Sequence, residues 1–137
     1  MNKVLNELIL KESSALNDLL ELLEEQHQLY LDKDVFGLEG IIKKIEAANI
    51  AVAKLEVERR KLLGNKTMKD IAEKYNDEEL EKNIVFVKQI AEKAKFQNTT
   101  NQVLFKQGLI FTNKMLNIFS PGKNNAKTYN GYGKIRR

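Results

Sequence analysis

Cysteine and tryptophan are absent from this 137-residue chain, histidine occurs once, at His27, and proline once, at Pro121. Without cysteine there is no disulfide scaffold, no thiol nucleophile and no thiolate-bound metal cluster. A lone imidazole removes every site that needs two. Glu24-x-x-His27 spells half of the paired Glu-x-x-His pattern of di-iron helical bundles, and no second half exists. With one proline and seven glycines, the turn chemistry of an all-β fold is missing. No stretch approaches the ~18 consecutive apolar residues of a membrane span. The opening Met1-Asn2-Lys3-Val4-Leu5-Asn6-Glu7-Leu8 scatters polar residues where a signal peptide has its apolar core, so the expected compartment is the cytoplasm. The sequons at Asn65 and Asn98 then carry no weight. No Gly-rich phosphate loop, nucleophile elbow or paired-carboxylate setting occurs, so neither catalysis nor a metal or cofactor is expected.

What remains is a helical composition with an uneven charge distribution. Residues 1–119 hold 18 Lys and Arg against 19 Asp and Glu, whereas Lys123, Lys127, Lys134, Arg136 and Arg137 stand in the last 18 residues with no acid. This divides the chain into a near-neutral body, 1–119, and a basic tail, 120–137. The tail interleaves Tyr129 and Tyr132 with cations, a composition that stacks and neutralises single-stranded nucleic acid. A solvated or docking tail is the simpler reading, and nucleic acid is not the expected partner.

Apolar periodicity places the helices. Residues 2–31 carry Leu5, Leu8, Leu16, Leu19 and Leu23 at helical spacing, with Glu12 and Gln26 also on the stripe. Asp32-Lys33-Asp34 makes the turn, with Asp34 as N-cap. In the second helix Leu38, Ile41, Ile45, Ala48, Val52, Leu55, Arg59 and Leu62 keep a heptad pattern to a stop at Gly64-Asn65. A short helix spans Thr67 to Tyr75, and Asp77-Glu78-Glu79 opens the last helix, which runs to Phe119 before Ser120-Pro121-Gly122. Its stripe reads Leu80, Ile84, Val87, Ala91, Ala94, Asn98, Asn101, Phe105, Gly108, Thr112, Met115, Phe119. Asn98 and Asn101 are expected as seam amides bonding across helices. Counting from the turn sets Arg59 beside Asn6 and Glu7, which argues against an Arg59–Glu12 pair.

The fold expected is all-α: an antiparallel up-and-down bundle of three long helices with coiled-coil-like packing, a short connector helix and a disordered basic tail. At 1.5 Å per residue the first two helices are ~45 Å long and the last ~65 Å. The final turns of the last helix, with Leu109, Ile110, Phe111, Met115, Leu116, Ile118 and Phe119, are therefore expected to lack a partner in the hairpin and to mark an interaction site.

Taken in order, Glu12 with Leu16 and Leu19, Leu55-Glu56-x-x-Arg59-x-x-Leu62, Asn98-x-x-Asn101-x-x-Leu104 and Tyr129-x-x-x-Gly133 resemble the FlgN-like flagellar export chaperones across almost the whole chain. The resemblance implies a cytoplasmic helical chaperone without enzymatic activity. Such a protein binds the C-terminal segments of hook-associated (filament junction) proteins, prevents their premature assembly and delivers them to the flagellar type III export gate. It assigns client binding to Leu109, Ile110, Phe111, Met115, Leu116 and Phe119, and gate docking to Tyr129 and Gly133. A homodimer that covers the apolar turns before a client arrives is a further expectation. The alternatives from the residues alone are a nucleic-acid binder or a generic coiled-coil adaptor with a basic tail.

Overall fold

The computed structural model describes the backbone of residues 1–119, 128–129 and 135–136, and the side chains of residues 1–107. Four helices follow one another: α1 (Asn2–Leu31), α2 (Val35–Leu63), α3 (Met68–Tyr75) and α4 (Glu78–Phe119). The expected bundle of three long helices and a connector is the observed one. α4 continues unbroken through Gly108 to Phe119. Two residue pairs, β1 (Thr128–Tyr129) and β2 (Ile135–Arg136), align antiparallel with Thr128 opposite Arg136 and Tyr129 opposite Ile135. The disorder expected of the rest of 120–137 lies outside the described residues. By backbone proximity the chain forms two compact units, Met1–Asn101 and Gln102–Arg137.

Within Met1–Asn101 the chain reverses twice by the same device. α1 ends where Lys33 turns left-handed (φ 58°). Lys33 N then donates to Tyr30 O and Asp34 N to Leu29 O, a Schellman closure. Asp34 at once serves as N-cap of α2, its carboxylate accepting from Gly37 N at 2.9 Å. Gly37 leaves room for this cap: a Cβ there would stand 2.6 Å from Leu29 Cδ2 and 2.7 Å from Asp34 Oδ2, so both side chains would have to shift. α3 ends likewise at left-handed Asn76 (φ 48°), with Asp77 N donating to Ala72 O. Asp77 Oδ1 then accepts from Leu80 N at 3.0 Å to start α4. Between these corners Gly64 stops α2 at φ 61°, and Thr67 and Asp70 form a reciprocal capping box on α3.

Among the described residues α1 is the most deeply packed helix: Leu5, Leu8, Ile9, Leu16, Leu19 and Leu23 are buried on it. One end of the core joins Leu5, Ile9 and Leu16 to Leu63 of α2, Ile71 and Ala72 of α3, and Leu80, Ile84, Val87 and Ile90 of α4. The other gathers Leu19, Leu23 and Ala94 with half-buried Ile45, Ala48 and Val52. On α4 the inward positions differ from the expected stripe: Ile90 is buried and Ala91 exposed, Gln97 is half-buried and Asn98 exposed. α4 therefore enters the core through Ile84, Val87, Ile90 and Ala94. Ala91 is left on the wall of a cleft of about 340 Å³ opposite Val52, Glu56 and Arg59 of α2.

Both corner devices carry a test. A lysine held left-handed is strained, so Lys33→Gly is expected to raise stability by about 1 kcal/mol in urea denaturation. The backbone N–H of Leu80, helped by Asn2 and Asn6, holds the Asp77 carboxyl below the usual aspartate range, and Thr67 does the same for Asp70. Both folded values lie below the unfolded ones. Their contribution is present above about pH 4 and is lost as pH falls through the lowered values, so an acid titration of Asp77→Asn is expected to be flatter than that of the unaltered chain.

Candidate functional site

Three polar clusters hold the helices of Met1–Asn101 in register. At the start of α1 the side-chain amides of Asn2 and Asn6 both donate to Asp77 Oδ2 at 3.1 Å, and Asn83 Nδ2 donates to Asn6 Oδ1 at 2.9 Å. The first turn of α1 is thereby fastened to the first turns of α4.

In the middle, Glu12, only 5% exposed, accepts from Arg59 Nε at 2.8 Å. This corrects the reading that Arg59 sits too far along α2 to reach it. A helical side chain leans toward its own N-terminus, so in an antiparallel pair two offset side chains lean toward each other. Glutamate and arginine are both long enough to close a gap of more than a turn. Arg59 Nη1 also lies 3.7 Å from Met68 Sδ, while Glu56 is paired with Arg60. Burial pushes the Glu12 carboxyl above its usual range, and the Arg59 charge offsets that only in part.

The third cluster surrounds Asn101, which is 2% exposed. Its Nδ2 donates to the Leu23 carbonyl oxygen at 2.8 Å and to Gln26 Oε1 at 3.0 Å. A carbonyl can only accept, so the orientation of the amide is fixed and Oδ1 faces the other way. There it accepts from Gln97 Nε2 at 2.9 Å and lies 3.2 Å from His27 Nδ1. Gln97 Nε2 is also 3.2 Å from His27 Nδ1. Asn101 is thus the cross-helix amide that its place on the stripe implied, whereas Asn98 faces outward and Gln97 takes the role expected of it. His27 lies on the helix face near the turn, as expected, and there joins the amide cluster. The cue that sequence offers for this trio is only that His27 stands one helical step beyond Leu23.

The residues expected to bind the client, Leu109, Ile110, Phe111, Met115, Leu116 and Phe119, all belong to α4, and their side chains lie outside the described residues. Tyr129 belongs to β1, where only its backbone is described, and Gly133 lies outside the described residues. Along the chain, the Asn101 lock precedes the segment of α4 that carries the positions expected to bind a client.

Among the described residues no group of three or more His, Cys, Asp and Glu could hold a metal ion, and no helix is long and apolar enough to cross a membrane. The polar chemistry that is present ties helix to helix, which defines a helical-bundle protein whose long last helix is set in register by side-chain amides. The family model described as FlgN protein matches residues 1–137, and the chain belongs to the FlgN family, a family of flagellar export chaperones. No curated protein and no solved structure gives a match.

The central pair makes a stability contrast. Arg59→Met leaves a buried carboxylate without a partner and is expected to cost about 3 kcal/mol near neutral pH. Glu12→Gln keeps an oxygen acceptor for Arg59 Nε and is expected to cost about 1 kcal/mol or less. Because the folded value of Glu12 lies above the unfolded one, its protonation favours the fold. That contribution is full below the ordinary glutamate range and is lost as pH rises through the raised value. Urea denaturation of Arg59→Met should accordingly show its deficit narrowing on mild acidification.

Proposed function

We propose that this chain is a cytoplasmic export chaperone for hook-associated (filament junction) proteins. The chaperone domain is 1–119 and the tail, 120–137, is a docking segment. The reading rests on the family match over the whole chain, and the unbroken course of α4 to Phe119 agrees with it. Junction subunits assemble through terminal amphipathic segments, and a chaperone can cover such a segment by lending it an apolar helix. Leu109, Ile110, Phe111, Met115, Leu116 and Phe119 supply that helix face. Tyr129, with Gly133, contacts a component of the export gate once the client is held. The role is one of binding and release, without catalysis, metal or cofactor.

Leu116→Asp combined with Phe119→Asp is expected to weaken binding of junction-protein C-terminal peptides at least about hundredfold in calorimetric titration, with helicity by circular dichroism unchanged. Unchanged affinity would overturn the assignment of the client face. Tyr129→Ala is expected to leave that affinity intact while junction-protein secretion falls. Normal secretion in the Tyr129 variant would remove the tail from gate docking.

A further inference from the structure

α2 carries a second apolar stripe, and it is exposed. The inward stripe, with Ile41, Ile45, Ala48, Val52 and Arg59, faces the rest of the bundle. On the opposite side Val35, Glu39, Ile42, Glu46, Ile50, Ala53 and Val57 follow one another at steps of three and four, a single helical face. All seven are exposed, and the four large apolar ones are 63%, 48%, 57% and 50% open in chain order. A solvated helix has no need of this many aliphatic residues on its outer side.

The charges along this face specify what covers it. Flanking the aliphatic residues, in chain order, stand Glu39, Lys43, Glu46, then Ile50, then Lys54, Glu58, Lys61, with Arg60 beside them already paired to Glu56 of its own helix. The order changes sign about Ile50. When the helix is turned end for end about that residue, Glu39 falls opposite Lys61 and Glu46 opposite Lys54, and Lys43 comes one residue away from Glu58. Ile50 then meets itself, and Ile42 comes one residue away from Val57. A parallel copy in register would instead set each charge against its own kind. None of these six charged residues makes an ion pair among the described residues of its own chain. Lys43, Lys54, Lys61 and Glu58 lie on one flank of the stripe, and a two-fold axis across an antiparallel pair brings that flank against the same flank of the other copy.

We propose that the outer face of α2 is a self-association surface, which pairs antiparallel with the α2 of a second copy about a two-fold axis at Ile50. This surface lies within Met1–Asn101 and does not depend on the client reading.

The charge pattern supplies its own control. In sedimentation analysis of the full chain at sub-millimolar concentration, the unaltered protein is expected to dimerise. Lys54→Glu with Lys61→Glu, and separately Glu39→Lys with Glu46→Lys, should each weaken self-association at least about tenfold, because four attractive pairs per dimer become repulsive. An equimolar mixture of the two variants restores every pair and should regain the dimer. The altered positions are exposed, so circular dichroism should report an unchanged fold. In this cysteine-free chain Ile50→Cys is expected to oxidise to a covalent dimer and Glu39→Cys to remain single. A monomeric unaltered protein, a dimer indifferent to both charge reversals, or a mixture that stays monomeric would each overturn the proposal.

Discussion

A buried amide hydrogen bond to a helix backbone sets the terms for the bundle. Asn101 Nδ2 donates to a carbonyl oxygen that already belongs to the α1 ladder, so α4 can neither slide nor rotate on α1 without leaving a desolvated amide unpaired. Hydrophobic packing is tolerant of such slips, since one leucine layer resembles the next. The amide cluster at Asn101 and the Asn2, Asn6 and Asp77 cluster hold α1 and α4 together at two widely separated points, and the Glu12–Arg59 pair ties α1 to α2. The apolar core supplies most of the driving force, and these three polar contacts choose among the arrangements it would accept.

Element boundaries were readable because they are written in local chemistry. Asp34, Gly64, Thr67 and Asp77 act as caps or stops through groups within a few residues of themselves, so spacing alone locates them. Facing was less readable. Ala91 and Asn98 fit a heptad as well as Ile90 and Gln97 do, and the choice depends on whether α4 faces α1 alone or the groove between α1 and α2. That is a tertiary decision with no local signature. The Glu12–Arg59 pair was missed for a related reason: residue counting compares backbone heights, whereas the reach and lean of two long side chains decide who meets. The order of the Glu12, Arg59, Asn101 and Tyr129 motifs pointed to the family, and the whole-chain match bears that out. The client and gate residues fall where side chains are not described, so their roles remain a proposal.

The bundle distributes its anchoring unequally. α1 buries apolar residues along most of its length, while on α2 only Ile41 and Leu63 are buried and the rest of the heptad stripe is half-covered. The helix with the most regular repeat is therefore not the one at the centre. A regular heptad signals the capacity to pair, and on α2 that capacity exceeds what a single chain uses.

The two corners share a further property. At Lys33-Asp34 and at Asn76-Asp77 one aspartate closes the helix behind it and opens the helix ahead, so neither corner has slack. A residue inserted at either place would part stop from start and rotate every following side chain by about 100°. Room for a change of length exists instead at the stretch from Gly64 to Lys66, where one helix stops and the next is capped by separate residues. At the two aspartate corners a single residue fixes the phase of both helices.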